Sequence, residues 1–221
     1  MEICFHGHAC VSLRAADGRV VVMDPYRPGA FDGRLAHGAV KLAADVVTVS
    51  HHHVDHAHVT ADLSAPGGGL PPVVDRSGDA AGLSFAARFT YHDRFHGTRM
   101  GMNAMIAFEL DGLRVVHLGD LGCPLTPDDV AALGAVDVLV LPVGGVYTLG
   151  PGDAPALLEA LRPRVALPVH YDNARCHLGM APIEALLPHL AAAPLRPGRS
   201  RWHSGQGLPD PGSVLILEPA C

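Results

Sequence analysis

Two stretches with the signature of a β-hairpin, each followed by a short apolar strand that opens with Asp, restrict the folds open to this 221-residue chain more than any other feature. Val11-Ser12-Leu13-Arg14 and Arg19-Val20-Val21-Val22-Met23 flank an Asp17-Gly18 turn. Asp-Gly marks a hairpin because the residues of a tight turn must accept positive φ. The pattern returns as Ala104 to Leu110, Asp111-Gly112 and Leu113 to Leu118, the second copy running into Gly119-Asp120 where the first runs into Asp24-Pro25. Asp45-Val46-Val47-Thr48-Val49 follows the first hairpin and Asp137-Val138-Leu139-Val140-Leu141 the second. Such self-similarity predicts an internal duplication of one sheet-forming unit.

The Val and Leu runs do not alternate with polar residues, which predicts strands buried on both faces. Each sheet should then carry helices outside and its twin inside. The expected fold is α/β, a four-layer αββα sandwich of two pseudo-repeated sheet units, with 1–221 as a single domain. Apolar positions three and four apart predict helices over 155–161 and 182–190. The stretches 64–72 and 194–212, rich in Gly, Pro and Ser, read as loops, and 214–217 as a closing strand.

Composition removes several classes of function. With 48% of residues apolar and 17% charged, the chain is not a disordered segment. No apolar run approaches the roughly 20 residues of a membrane span, so a soluble protein with no membrane partner is expected. A formal charge of −6 argues against a nucleic-acid surface built on bulk positive charge, which leaves a small-molecule substrate as the expected partner. Cys4, Cys10, Cys123, Cys176 and Cys221 are odd in number and scattered, as buried thiols in a reducing compartment would be. Met1 runs straight into Glu2-Ile3-Cys4-Phe5, with neither a basic nor an apolar leader region, and a cytoplasmic location is expected.

Fifteen histidines are a surplus that calls for chemistry, since His is the commonest metal ligand. Ser50-His51-His52-His53-Val54-Asp55-His56 holds the pattern H-x-H-x-D-H directly after a buried strand. In extended backbone, residues i and i+2 point the same way. His51 and His53 can therefore grip one ion while the turn redirects Asp55 and His56 towards a second. One loop cannot complete two coordination spheres, and isolated His or Asp residues at strand ends must supply the rest. His92 follows the alternating strand Phe85 to Tyr91, Asp120 ends the second hairpin, and His170 ends the strand from Arg164 to Val169. C-terminal strand tips are where a layered α/β fold gathers its site.

Gly7-His8-Ala9-Cys10, Met23-Asp24-Pro25, the H-x-H-x-D-H loop, Tyr91-His92-Asp93, His117-Leu118-Gly119-Asp120-Leu121-Gly122, Leu141-Pro142-Val143-Gly144-Gly145 and Pro168-Val169-His170-Tyr171 together resemble the metallo-β-lactamase fold superfamily. Within it they are most similar to the small hydrolases related to L-ascorbate-6-phosphate lactonase. The resemblance implies that His51, His53 and His92 bind a first metal ion, that Asp55, His56 and His170 bind a second, and that Asp120 bridges them. His53 stands where diiron oxidoreductases of this fold carry Glu, which favours a hydrolase. No long insertion follows Asp120 to house the extra domain of the nucleases.

Two divalent ions roughly 3.5–4 Å apart generate hydroxide near neutral pH and polarise the electrophile, so no Ser or Cys nucleophile is needed. In that scheme Asp120 orients the hydroxide and Asp55 accepts or relays a proton as the leaving group departs. Asp24 is the candidate for fixing a ligand imidazole, with a turn cap before Pro25 as the alternative. Tyr171 could donate to an oxyanion or a substrate phosphate, or simply pack. His8 could reach the cavity or be a satisfied structural His. His52 is expected to face solvent and Cys123 to pack. The expected function is metal-dependent hydrolysis of a small lactone, ester or phosphodiester. The alternatives are a phosphodiesterase of nucleotides or phospholipid head groups and a non-catalytic metal-binding or sensor protein. An imidazole-rich site suits zinc, while oxygen ligands admit manganese or iron.

Overall fold

Asp45 and Asp137 do the same job in the two halves of the chain. The Asp45 carboxylate accepts from the Val20 N–H at 2.7 Å and the Asp137 carboxylate from the Arg114 N–H at 2.9 Å. Each Asp N–H donates back to the carbonyl of that same partner at 2.9 Å. The paired bonds pin the start of an apolar strand to the second strand of the hairpin before it, and the parallel register follows.

In this computed structural model, which describes residues 1–206 and 209–221, the strands in chain order are β1 (Glu2–Gly7), β2 (Cys10–Arg14), β3 (Val20–Met23), β4 (Leu42–Ala43), β5 (Val46–Thr48), β6 (Leu63–Ser64), β7 (Val73–Val74), β8 (Gly78–Ala80), β9 (Leu83–Tyr91), β10 (Met102–Leu110), β11 (Leu113–His117), β12 (Val138–Pro142), β13 (Val165–Val169), β14 (Arg201–His203) and β15 (Ser213–Val214). One large sheet is ordered β14-β1-β2-β3-β5-β7 and the other β15-β13-β12-β11-β10-β9-β8, while β4 and β6 form a separate parallel pair. The duplication is plain in the pairing. β2 is antiparallel to β3, which runs parallel to β5 and then β7; β10 is antiparallel to β11, which runs parallel to β12 and then β13.

The same Asp-Gly dipeptide makes two different turns. Leu110 pairs with Leu113, so Asp111 (φ 52°) and Gly112 (φ 71°) alone form the second turn, both left-handed as the sequence predicts. In the first, Ala15 N–H bonds to the Arg19 carbonyl at 2.8 Å and only Gly18 is left-handed. The Asp17 carboxylate there accepts from Arg19 N–H at 3.0 Å, a local bond that stabilises the longer loop.

The inner faces of the sheets meet in one core that joins Phe5, Leu13, Val21 and Met23 to Phe108, Val116 and Val140. The other face of β3 and β5, carrying Val20, Val22 and Val47, packs against Tyr26, Leu35 and Leu63. Leu63 comes from β6, and Tyr26 and Leu35 flank a turn rather than sit on a helix, because Gly29, Phe31, Asp32 and Gly33 between them all have positive φ, which no α-helix accommodates. Helices α1 (Pro127–Leu133) and α2 (Ala154–Leu161) contribute Leu133, Leu157 and Leu161 to the core that includes the second sheet.

Several sequence expectations change in detail. The segment Ile183–His189 is a 3-10 rather than an α-helix, since Pro188 lies inside it and offers no N–H. Helix α1 was not anticipated, being only seven residues long. It starts at a Thr126–Asp129 capping box, and Arg88 on β9 ties Asp129 down at 2.7 Å. The 194–212 stretch contains β14, which pairs with β1 and buries Trp202 at 7% exposure. Residues 207 and 208 of that stretch lie outside the described residues. The closing strand ends at Val214, although Leu215 to Leu217 remain buried. Among the described residues no helix is long and apolar enough to cross a membrane.

Candidate metal centre

The loop 50–56 follows β5, His92 follows β9, Asp120 follows β11 and His170 follows β13, so the C-terminal tips of both sheets converge on one point. That point is the Asp120 carboxylate. Its Oδ2 lies 3.1 Å from His170 Nε2, 3.2 Å from both His56 Nε2 and His92 Nε2, and 3.9 Å from His51 Nε2. Ligand-type atoms of His51, His53 and His92 lie within 4.8 Å of one another. Two further groups meet the same measure: His51 with His56 and Asp120, and His8 with Asp55, His56 and His170.

Backbone strain and glycine hold this geometry. Asp24 (φ 48°), His8 (φ 52°) and His170 (φ 56°) are left-handed, at about 1–2 kcal/mol each. Gly119, at φ 56°, precedes Asp120 because a Cβ there would collide with Ser50 and the Asn103 amide. Asn103 Oδ1 accepts from Asp120 N–H at 2.8 Å, and its Nδ2 donates to the Leu118 carbonyl at 2.8 Å. Asn103 and Ser50 are site residues that sequence reasoning missed. The available signal was a lone Asn in the apolar run of β10, fully buried here.

Three of the rings are held from the far side as a metal ligand requires, while His170 Nδ1 is buried without a hydrogen-bond partner. His56 Nδ1 donates to Asp24 Oδ2 at 2.9 Å, His92 Nδ1 to the Tyr147 carbonyl at 3.0 Å, and His51 Nδ1 meets Ser50 Oγ at 3.0 Å. Asp24 also accepts from the Ser50 N–H at 2.7 Å and the Ser50 hydroxyl at 2.5 Å. Pointing the other way, His51 Nε2, His56 Nε2 and Asp120 Oδ1 are buried without a hydrogen-bond partner. Orphaned donor atoms facing one another suit a cation, and the residues present fit divalent metal.

The charges agree. Burial disfavours imidazolium at His56, yet Asp120, Asp55 and the hydrogen bond to Asp24 outweigh it and hold the pKa well above the usual value. Burial would raise Asp120, but the His170 and His56 rings hold it well below the carboxylate range. His51 is pushed down to about 3 by burial and by His56, against the pull of Asp120. His8 is pushed down to about 4 by burial and by His170, while its Nε2 bonds Asp55 Oδ2 at 2.9 Å. The site thus holds carboxylates ionised among imidazoles that a metal ion and a proton would contest.

Residues 2–170 match the family model of the beta-lactamase superfamily domain. A metallo-beta-lactamase superfamily protein from Thermotoga maritima superposes with a TM-score of 0.78 at 32% identity, covering 98% of both chains. This chain belongs to the metallo-β-lactamase superfamily. Among curated superfamily relatives, a UPF0173 metal-dependent hydrolase from Thermus thermophilus is 30% identical over 193 residues, 78% of this chain and 84% of its own. Another from Geobacillus sp. is 28% identical over 234 residues, 94% of this chain and 99% of its own. The fold of this superfamily member is therefore the metallo-β-lactamase fold that its sequence resembles.

Not every sequence candidate reaches the metallo-β-lactamase centre. Tyr171 does not: it is 4% exposed and packs in the core with its ring centroid 6.0 Å from Phe5. The left-handed backbone at His170 aims that side chain at Asp120 and sends the next one inward. His52 faces solvent and meets Asp75 at 3.0 Å, and Cys123 packs beside the core. His8, a candidate either to reach the cavity or to be a satisfied structural His, is fully buried, bonds Asp55 Oδ2 through Nε2 at 2.9 Å and does not line the cavity, although its ring also falls in a ligand-type group with Asp55, His56 and His170.

Proposed function

We propose that this chain is a metal-dependent hydrolase that uses two divalent ions, zinc foremost with manganese or iron as the other candidates, to cleave a small lactone, ester or phosphodiester. The observation that carries the reading is the set of buried, unpartnered His51 Nε2, His56 Nε2 and Asp120 Oδ1 in the midst of His53, His92, Asp55 and His170. The relatives named above, metal-dependent hydrolases in two cases and a candidate Zn-dependent hydrolase in the third, support it.

Bound divalent metal would lower the pKa of water and polarise the electrophile. The chain's own groups do the rest. His51, His53 and His92 would hold one ion and Asp55, His56 and His170 the other, with Asp120 between. Asp120, held ionised and aimed by Asn103, balances charge at the centre. Asp55 lines the cavity, and its Oδ2, held by His8 Nε2, is positioned to take a proton as the leaving group departs. Five unpaired cysteines suit a reducing, cytoplasmic setting.

Elemental analysis of protein purified without added metal, followed by activity with that metal restored, tests the reading. The substrates are a 4-nitrophenyl carboxylic ester, a γ-lactone and bis(4-nitrophenyl) phosphate. We expect about two ions per chain and metal-dependent turnover of at least one class. Full metal with no turnover of any would instead indicate a binding or sensor protein.

A further inference from the structure

Above the Asp120 hub lies a cavity of about 270 Å³, walled by the apolar side chains of Phe31, Val54, Tyr147 and Leu178. Apart from histidines, the only cationic residue lining it among the described residues is Arg34. The Arg34 side chain is exposed, its Nε donates to the Phe31 carbonyl at 3.2 Å, and no ion pair with a carboxylate forms among the described residues. Arg94 and Arg99, outside the cavity lining, are engaged elsewhere. Arg94 pairs with Asp153 at 2.7 Å, and the Arg99 guanidinium stacks 3.7 Å from the Phe95 ring centroid.

The backbone that presents Arg34 is fixed on both sides to the segment following His170. His177 N–H donates to the Arg34 carbonyl at 2.9 Å, and Ala36 N–H to the Arg175 carbonyl at 2.7 Å. Phe31 and Asp32 just before it are consecutive left-handed residues, φ 56° and 57°, a conformation that persists only where surrounding bonds over-determine it. A guanidinium with free N–H groups, held at the rim of an apolar cavity, matches a planar anion.

We propose that Arg34 is a specificity-determining residue, selecting substrates in which a short apolar arm joins the scissile bond to an anionic group. This rests on the hydrolase reading and names the substrate class within it. The apolar arm lies against Phe31, Val54, Tyr147 and Leu178, and the anion pairs with Arg34 at the rim. The reacting carbonyl or phosphoryl group faces Asp120.

Two matched pairs of probes test it. Mono-4-nitrophenyl fumarate, whose trans double bond keeps the carboxylate away from its own ester, and neutral 4-nitrophenyl trans-2-pentenoate are compared as substrates of metal-loaded wild type, Arg34→Ala and Arg34→Lys. Wild type should favour the anionic ester at least tenfold in kcat/KM. Arg34→Ala should raise KM for that ester about tenfold and leave kcat and the neutral ester alone, and Arg34→Lys should recover part of the loss. Calorimetry with N-phenylsuccinamate and neutral N-phenylpentanamide reads the same preference without turnover. A protein that hydrolyses neither ester, yet binds the anionic amide tenfold tighter than Arg34→Ala does, keeps the Arg34 assignment and loses the ester-hydrolase reading. Equal selectivity or equal affinity in wild type and Arg34→Ala overturns the assignment.

Discussion

Asp24 Oδ2 and His56 Nδ1 lie 2.9 Å apart, both fully buried, so a residue at the end of the first hairpin fixes a ring in the H-x-H-x-D-H loop. Asp24→Asn replaces one carboxylate oxygen with a donor that faces the Ser50 N–H, the Ser50 hydroxyl or His56. We expect a soluble protein whose metal affinity falls roughly ten- to a hundredfold, measured by competition with a chelator. Unchanged affinity would reduce Asp24 to a turn cap.

Asp120→Asn should retain the fold, because Asn103 still receives the residue 120 N–H. It should lose most activity, since an amide carries no charge to place among His56, His92 and His170. Circular dichroism and turnover on the same sample decide it, and wild-type rates in the folded variant would remove Asp120 from the centre.

His51→Ala and His92→Ala are each expected to lower metal stoichiometry by about one ion per chain, since each removes one of three clustered imidazoles. Tyr171→Phe serves as the contrast, because that hydroxyl lies in the core and away from the Asp120 cavity. It should keep full metal and full rate. Metal content by elemental analysis separates these outcomes.

Gly119→Ala places a Cβ against Ser50 and Asn103 at a left-handed φ of 56°. Strain and overpacking together should cost about 2–4 kcal/mol in denaturant unfolding. Gly18→Ala, where nothing lies within 4 Å of the new Cβ, bears the left-handed cost alone and should be milder. Equal losses at the two positions would contradict the close approach.

His6, buried beside Ser12 Oγ at 2.7 Å, has its pKa pushed down to about 4 by burial, with Arg201 adding to it. Its folded-state pKa lies below the unfolded value near 6.5. Between those values the unfolded chain binds a proton that the folded chain does not. Stability from this group is therefore full above about pH 6.5, falls as pH drops and levels off below about 4, a loss of roughly 3 kcal/mol. His6→Gln should flatten that part of the melting-temperature profile relative to wild type. Identical slopes in the two proteins would show that His6 titrates normally.

The repeat and the strand-tip residues His92, Asp120 and His170 are legible because they depend on local rules, side-chain period and turn chemistry, whereas the crowding that demands Gly119 comes from Ser50 and Asn103 across the fold. The same local rules gave 155–161 as helical, and the structure places α2 there. They failed where sequence-distant contacts decide. β14 exists because β1 offers an edge to pair with, whereas the 3-10 form of Ile183–His189 follows from a local feature, Pro188, which helical spacing alone does not register.

By itself the sequence determined which residue types could form a metal centre and which strands would carry them. Tertiary structure alone decided that Asn103 aims Asp120, that Tyr147 lends His92 a carbonyl, that Tyr171 turns into the core and that Arg34 stands over the cavity. The reason is physical. Hydrogen-bond partners 17 and 55 residues apart are chosen by the packing of the sheets and their loops, and a side chain's direction past a strand end is set by a backbone angle that residue type only weakly biases.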